Sequence, residues 1–226
     1  MALFVLSDPH LSLGCDKPMD VFGGWQNYVE RLSGAWKRLV APTDTVVLPG
    51  DISWAMKLEH CTEDFRFLQQ LPGRKILGKG NHDYWWTTMN KMQTYLAQNA
   101  FDTLSFLFNN APLYDDLALC GTRSWFFDGK QEHDEKILNR ELGRVRMSLE
   151  AAGDREKLVF LHYPPIYGTN RAQEILDMLQ QYNVRECYFG HLHGSAAAGA
   201  WQGEAEGIRF RLVSADALNF CPLRIR

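Results

Sequence analysis

A chain of 226 residues with 46% hydrophobic and 23% charged residues has room for one α/β domain with a full core, and is neither disordered nor fibrous. Its formal net charge of −3 gives no global pull toward nucleic acid or an anionic membrane, so any attraction for phosphate has to be local. Five scattered cysteines without a C-x-x-C pair argue against a disulfide framework, and no apolar stretch approaches the ~20 residues that span a bilayer. With no basic region, long apolar stretch and cleavage site at the start, the expected location is cytoplasmic.

In chain order, the apolar run over 2–7 reads as a buried strand and ends in Asp8-Pro9-His10. A polar loop follows to about Gly24. Trp25, Tyr28, Val29, Leu32, Trp36, Leu39 and Val40 then recur at helical spacing, and this helix stops near Pro42. The strand over 45–49 ends in Gly50-Asp51. A loop with Trp54 and Met56 leads to a helix over 62–71, closed by Pro72-Gly73. The strand over 75–79 ends in Gly80-Asn81-His82-Asp83, followed by Tyr84-Trp85-Trp86 and a helix over 87–98. Strands are expected over 106–108 and 117–120, joined through a turn at Asp115-Asp116. Past a loop at 121–125, a charged helix over 132–151 buries Ile137, Leu138, Leu142, Val145 and Leu149. A strand over 157–161 ends in His162-Tyr163. A helix over 171–182 precedes a strand over 186–189 that ends in Gly190-His191-Leu192-His193. Two antiparallel strands, 195–200 and 208–214, flank a glycine-rich turn around Gly203 and Gly207. A single domain over 1–226 is expected.

Strand and helix alternate, so the class is α/β, and in such folds ligands bind beyond the carboxyl ends of the strands. Five apolar runs each end in Asp, Asn or His, and five of the chain's seven histidines sit at those ends. A lone histidine needs no role, and His60 and His133 are given none. A lone Gly-Asp is ordinarily a turn. The recurrence is what matters. Carboxylate, imidazole and amide donors without a thiolate suit manganese, iron or zinc better than calcium or copper(I). There are too many for one tetrahedral ion, and about enough for two divalent ions sharing a carboxylate.

In sequence order these blocks are D-x-H at Asp8 and His10, G-D at Asp51, G-N-H-D at 80–83, a later His162, and G-H-x-H at His191 and His193. The series resembles that of the calcineurin-like metallophosphoesterase superfamily, in its single-domain bacterial form. The resemblance implies a four-layer α/β/β/α sandwich of two mixed β-sheets flanked by helices. It implies that Asp8, His10 and His193 hold one metal, that Asn81, His162 and His191 hold a second, and that Asp51 bridges them. His82 then lies beside the substrate phosphate as a catalytic group, and Asp83 orients it. Two ions ~3.5–4 Å apart can present a bridging hydroxide and neutralise phosphoryl oxygens during in-line attack. Protein serine/threonine phosphatases of the superfamily follow Gly-Asp with aromatic-Val-Asp-Arg-Gly. Here Ile52-Ser53-Trp54 follows, which argues against a phosphoprotein substrate. Pro9 fixes φ between two ligands but leaves both in place.

The expected activity is hydrolysis of phosphomonoesters or phosphodiesters, with a small-molecule phosphate ester, such as a nucleotide or cyclic nucleotide, as partner. Trp54, Tyr84, Trp85, Trp86 and Trp125 offer candidate stacking faces for a base. Arg123 is a candidate for bidentate phosphate contact, or an ordinary salt bridge. A nuclease shares the motifs, but the acidic balance and short length argue against nucleic acid. A non-catalytic protein-binding module on the same fold fits poorly with a complete ligand set and His82. No Walker A loop, C-x5-R signature or G-x-S-x-G elbow is present. An all-helical HD phosphohydrolase is excluded because His82-Asp83 follows a strand.

Overall fold

The computed structural model describes residues 1–124 and 135–226. Its first half builds one sheet. The elements in order are β1 (Leu3–Val5), α1 (Tyr28–Leu39), β2 (Thr45–Leu48), α2 (Thr62–Gln70), β3 (Arg74–Leu77), α3 (Met89–Gln98) and β4 (Leu104–Phe106). The second half builds another, with β5 (Leu113–Tyr114), β6 (Leu117–Thr122), α4 (Glu135–Ala151), β7 (Lys157–Leu161), the small hairpin β8 (Ile166–Tyr167) and β9 (Asn170–Arg171), α5 (Gln173–Gln181), β10 (Glu186–Phe189), β11 (Gly203–Ala205) and β12 (Ile208–Leu212). β13 (Leu223–Arg224) returns to the first sheet.

The first sheet has the order β13-β1-β2-β3-β4, and the second β11-β12-β10-β7-β6-β5. Pairs inside each sheet are parallel, while β13, β11 and β5 join their edges antiparallel. Both sheets are therefore mixed. All the parallel strands of a sheet end at one edge.

Alternation along the strands makes the layers. Leu3, Val5, Val47 and Ile76 of the first sheet pack against Leu119, Leu158, Phe160 and Tyr188 of the second. The intervening residues Phe4, Val46, Leu48 and Leu77 face outward, under Leu32 and Trp36 of α1, Phe65 and Leu68 of α2, and Met92 of α3. On the far side Cys120, Val159, Leu161, Cys187 and Phe189 lie under Val145 and Leu149 of α4 and Ile175 and Leu179 of α5. Helices, sheet, sheet, helices is the expected four-layer sandwich. All five cysteines are free. Among the described residues no helix is long and apolar enough to cross a membrane.

Two expected elements differ. Residues 195–200 are not a strand: Gly194–Gly199 forms a 3-10 turn, because three alanines between glycines have little to pack on a sheet. The partner of β12 is β11, across a tight turn in which Glu206 and Gly207 have φ 55° and 75°. The strand expected over 106–108 is β4, shifted earlier and paired parallel with β3, so the 115–116 turn joins β5 to β6 instead. Leu104 and Phe106 are drawn into the helix-covered core of the first sheet, and this sets the register. Trp125 and the expected start of the charged helix lie outside the described residues.

Candidate metal centre

The two sheets meet at their carboxyl edges. Ser7, just past β1, bridges in parallel to Ser214, just past β12: Ser7 N donates to Val213 O at 2.7 Å, and Ala215 N to Ser7 O at 2.8 Å. Every expected ligand sits beside this seam. Asp8 and His10 follow β1, Asp51 follows β2 and Asn81 follows β3. From the other sheet His162 follows β7, and His191 and His193 follow β10.

The backbone turns sharply to deliver these side chains. Asp8, His10, Asp51 and His191 have φ of 58°, 45°, 50° and 72°, a region that costs non-glycine residues about 1–2 kcal/mol each. Close approach requires glycine beside them. A Cβ on Gly80 would lie 2.0 Å from Asp51 Oδ1, and one on Gly190 would lie 2.2 Å from Asp8 Oδ2. The G-N-H-D and G-H-x-H glycines are spacers that let two loops touch carboxylates.

Two sets of donors converge, each with its ligand atoms within 4.8 Å of one another: Asp8, His10 and His193, and Asp51, His162 and His191. Asn81 joins the second, its Oδ1 2.7 Å from His162 Nε2. Asp51 Oδ2 stands between the sets, 3.7 Å from His10 Nε2 and 3.5 Å from His162 Nε2. Asp8 Oδ1 similarly faces His193 Nε2 at 3.6 Å and His162 Nδ1 at 3.7 Å. His10 and His193 aim Nε2 at each other across 3.3 Å, and the buried His10 Nδ1 and His162 Nδ1 have no hydrogen-bond partner among the described residues.

Charge favours ligation. Burial lowers His10 to about 3 and holds His162 well below, and His191 below, the ordinary imidazole value, so these rings are neutral donors. Burial raises Asp8, but the hydrogen bond from His193 and the neighbouring imidazoles outweigh it and keep the carboxylate ionised. Asp51 goes the other way, pushed well up by burial and by the charges of Asp8 and Asp83. Three buried carboxylates crowded this closely need compensating positive charge. Three neutral imidazoles, with His193, the carboxylates and an amide oxygen at one seam, are a donor set that fits divalent ions.

His82 lies at the mouth. Its backbone N–H donates to Asp51 Oδ1 at 2.8 Å, and its Nδ1 is buried without a partner among the described residues. No hydrogen bond joins Asp83 to His82 among the described residues. Asp83 Oδ1 accepts from Ile52 N, Ser53 N and Trp85 Nε1 at 2.8, 3.2 and 2.9 Å, and Oδ2 from Gly80 N at 2.7 Å. The turn sends the carboxylate inward, where it bolts the loop after β3 to the loop after β2. The sequence reading missed Asp216, whose Oδ1 lies 2.8 Å from His193 Nδ1 while Oδ2 accepts from Gly194 N at 2.9 Å. The alternating segment Ile208-Arg209-Phe210-Arg211-Leu212 is a half-exposed strand that leads through Val213 to Ser214-Ala215-Asp216, again a strand followed by an acid. Burial lowers His193, but Asp216 and Asp8 together raise it to about 10.

Aromatic rings wall the site. Trp54 stacks on His10 with centroids 4.9 Å apart and tilts against His82 at 4.4 Å, with Lys17 4.6 Å above its ring. Tyr163 meets His191 at 4.5 Å. Of the other candidate stacking faces, Tyr84 is exposed, Trp86 is half-buried against Phe106, and Trp85 is core, edge-on to Phe65 at 5.1 Å. A cavity of about 650 Å³ opens beside Tyr84 and Trp86, and none of the ligand residues lines it.

The calcineurin-like phosphoesterase family model matches residues 1–195, which hold every ligand position. The chain belongs to that family. Among solved structures, this phosphoesterase is similar to a protein of unknown function, AQ665, from Aquifex aeolicus, with 16% identity and TM-score 0.54, covering 99% of this chain and 95% of that one. It is also similar to the phosphopantetheinyl hydrolase of Mycobacterium tuberculosis, with 15% identity and TM-score 0.59 over the same shares. These likenesses concern the fold. Among curated proteins no sequence matches it.

Proposed function

We propose that the protein is a dinuclear metal-dependent phosphoesterase that hydrolyses small phosphomonoesters or phosphodiesters. The family is one of hydrolases acting on phosphoesters. The observation that carries the finer reading is the pair of converging ligand sets with Asp51 facing both. Asp8, His10 and His193 would hold one divalent ion, and Asn81, His162 and His191 the other, with Asp51 reaching each. Bound manganese, iron or zinc ions would supply Lewis acidity toward the phosphoryl group and a reactive water.

The chain's own residues do the rest. His82, at the mouth, donates a hydrogen bond or a proton to the phosphoryl or leaving-group oxygen. Asp83 keeps the loops carrying Asp51 and His82 in register. Asp216 holds His193 in one tautomer, leaving Nε2 free for ligation. Trp54 packs the His10 and His82 rings into place, and with Lys17 above it forms a wall suited to an aromatic leaving group carrying negative charge.

Reconstitution with single divalent ions, followed by assays on para-nitrophenyl phosphate and its bis ester, tests this. Activity with manganese, iron or zinc and two ions bound per chain is the expected outcome. A well-folded protein inert with every divalent ion would overturn it.

A further inference from the structure

The shared edge also carries cations that no ligand set employs. β6 delivers Arg123 and Ser124 there, just as β7 delivers His162 and β10 delivers His191. Their place beside the second set is fixed by backbone bonds: Tyr163 N donates to Arg123 O at 3.0 Å, and His162 N to Thr122 O at 3.3 Å. The Arg123 guanidinium carbon is 6.0 Å from the Tyr163 ring centre, and that ring packs on His191. Lys79 directly precedes Gly80-Asn81, so it enters the loop that carries the Asn81 donor.

A carboxylate organises these cations without neutralising them. Glu141 of α4 is fully buried and accepts from Arg123 Nη2 at 3.2 Å and Arg144 Nη1 at 2.6 Å, with Arg140 Nε 3.7 Å away. A purely structural salt bridge would leave Arg123 satisfied. Instead, Arg123 Nε and the fully buried Ser124 Oγ have no hydrogen-bond partner among the described residues. Ser124 is held at φ 65°, which bulkier side chains rarely adopt. Unused buried donors on a cationic strand end, next to the strand that carries His162, are what a phosphate would complete.

We propose that Arg123, Ser124 and Lys79 form a subsite for a second phosphate group of the substrate, beside Asn81, His162 and His191. This rests on the proposed function and narrows its substrate class to small molecules carrying two phosphate groups. The guanidinium fork offers paired N–H donors to phosphate oxygens, Glu141 holds the fork from behind, and Lys79 adds charge. Esters with one phosphate lack this anchor.

The test compares methylphosphonate with methylenebisphosphonate as inhibitors of para-nitrophenyl phosphate hydrolysis by the full manganese-loaded chain. The bisphosphonate is expected to bind about tenfold more tightly or better, as a second charge-assisted phosphate contact allows. In Arg123→Gln and in Lys79→Gln the ratio moves toward equality. Lys79→Gln leaves the Glu141 pairs intact, so it serves even if Arg123→Gln does not fold. Chelation of manganese by the bisphosphonate is common to all three proteins, so the change in ratio between them is decisive. No preference in the parent, or a preference that survives both substitutions, overturns the subsite. Calorimetric titration with both phosphonates reads the preference without turnover. Selective binding by a chain that hydrolyses nothing would count against the proposed function and leave the subsite standing.

Discussion

An imidazole nitrogen facing another across 3.3 Å, as in His10 and His193, needs a shared proton or a cation between them. Asp216 accepts a hydrogen bond from Nδ1–H of His193, the tautomer whose Nε2 lone pair can meet a cation. Asp216→Asn should therefore weaken metal affinity by ~10–100-fold, measured by competition with a chromogenic chelator. His82→Ala should retain both metals by elemental analysis while lowering kcat by ~10²–10⁴-fold. The ligand positions were legible because each follows an apolar run directly. Asp83 was not, since a neighbour in sequence looks like a partner in space, and the tight turn sends its carboxylate the other way. Asp216 carried the same strand-end signal but lacked a histidine to draw attention to it.

The elements repeat one device at the start of a central strand in each sheet. Lys75 opens onto β3 and donates from Nζ to Leu71 O and Gly73 O, both at 2.7 Å. Lys157 opens β7 and donates to Gly153 O and Arg155 O, both at 2.8 Å. Each ammonium ties down the chain leaving the preceding helix, where carbonyls lack partners. Burial lowers Lys75 from 10.5 to about 8. Between those values the unfolded chain keeps a proton that the folded one has released, so this group's contribution to stability grows as pH rises from about 8 to 10.5. Lys75→Met should remove that part of the pH slope, read as the difference between the two proteins' urea midpoints. Strand ends were readable from composition, because a buried parallel strand is a continuous apolar run. The β5–β6 and β11–β12 hairpins were harder, since their outer strands are only two and three residues long and lie at sheet edges.

The whole molecule is held by three stacked cores, of which the middle one belongs to both sheets. Phe160, fully buried there and stacked on Tyr188 at 5.5 Å, is its largest contributor from β7. Phe160→Ala should cost about 3–5 kcal/mol, visible as a lowered denaturant midpoint with an unchanged slope. Divalent ions saturating the site at about 100 times their Kd should add about 2.7 kcal/mol, so chelation should lower the thermal midpoint. Layer order was foreseeable only through the family likeness. Alternation along β1 shows that both faces are buried, but not what covers each.

The seam between Ser7 and Ser214 has a bearing on biosynthesis. Asp8, His10, Asp51 and Asn81 come from the first sheet and His162, His191 and His193 from the second, so residues up to His191 must be synthesised and both sheets joined before either proposed pocket is complete. Until the late strands arrive, the acidic loops after β1 and β2 would stand without their histidine partners, and metal capture would wait for the two sheets to join.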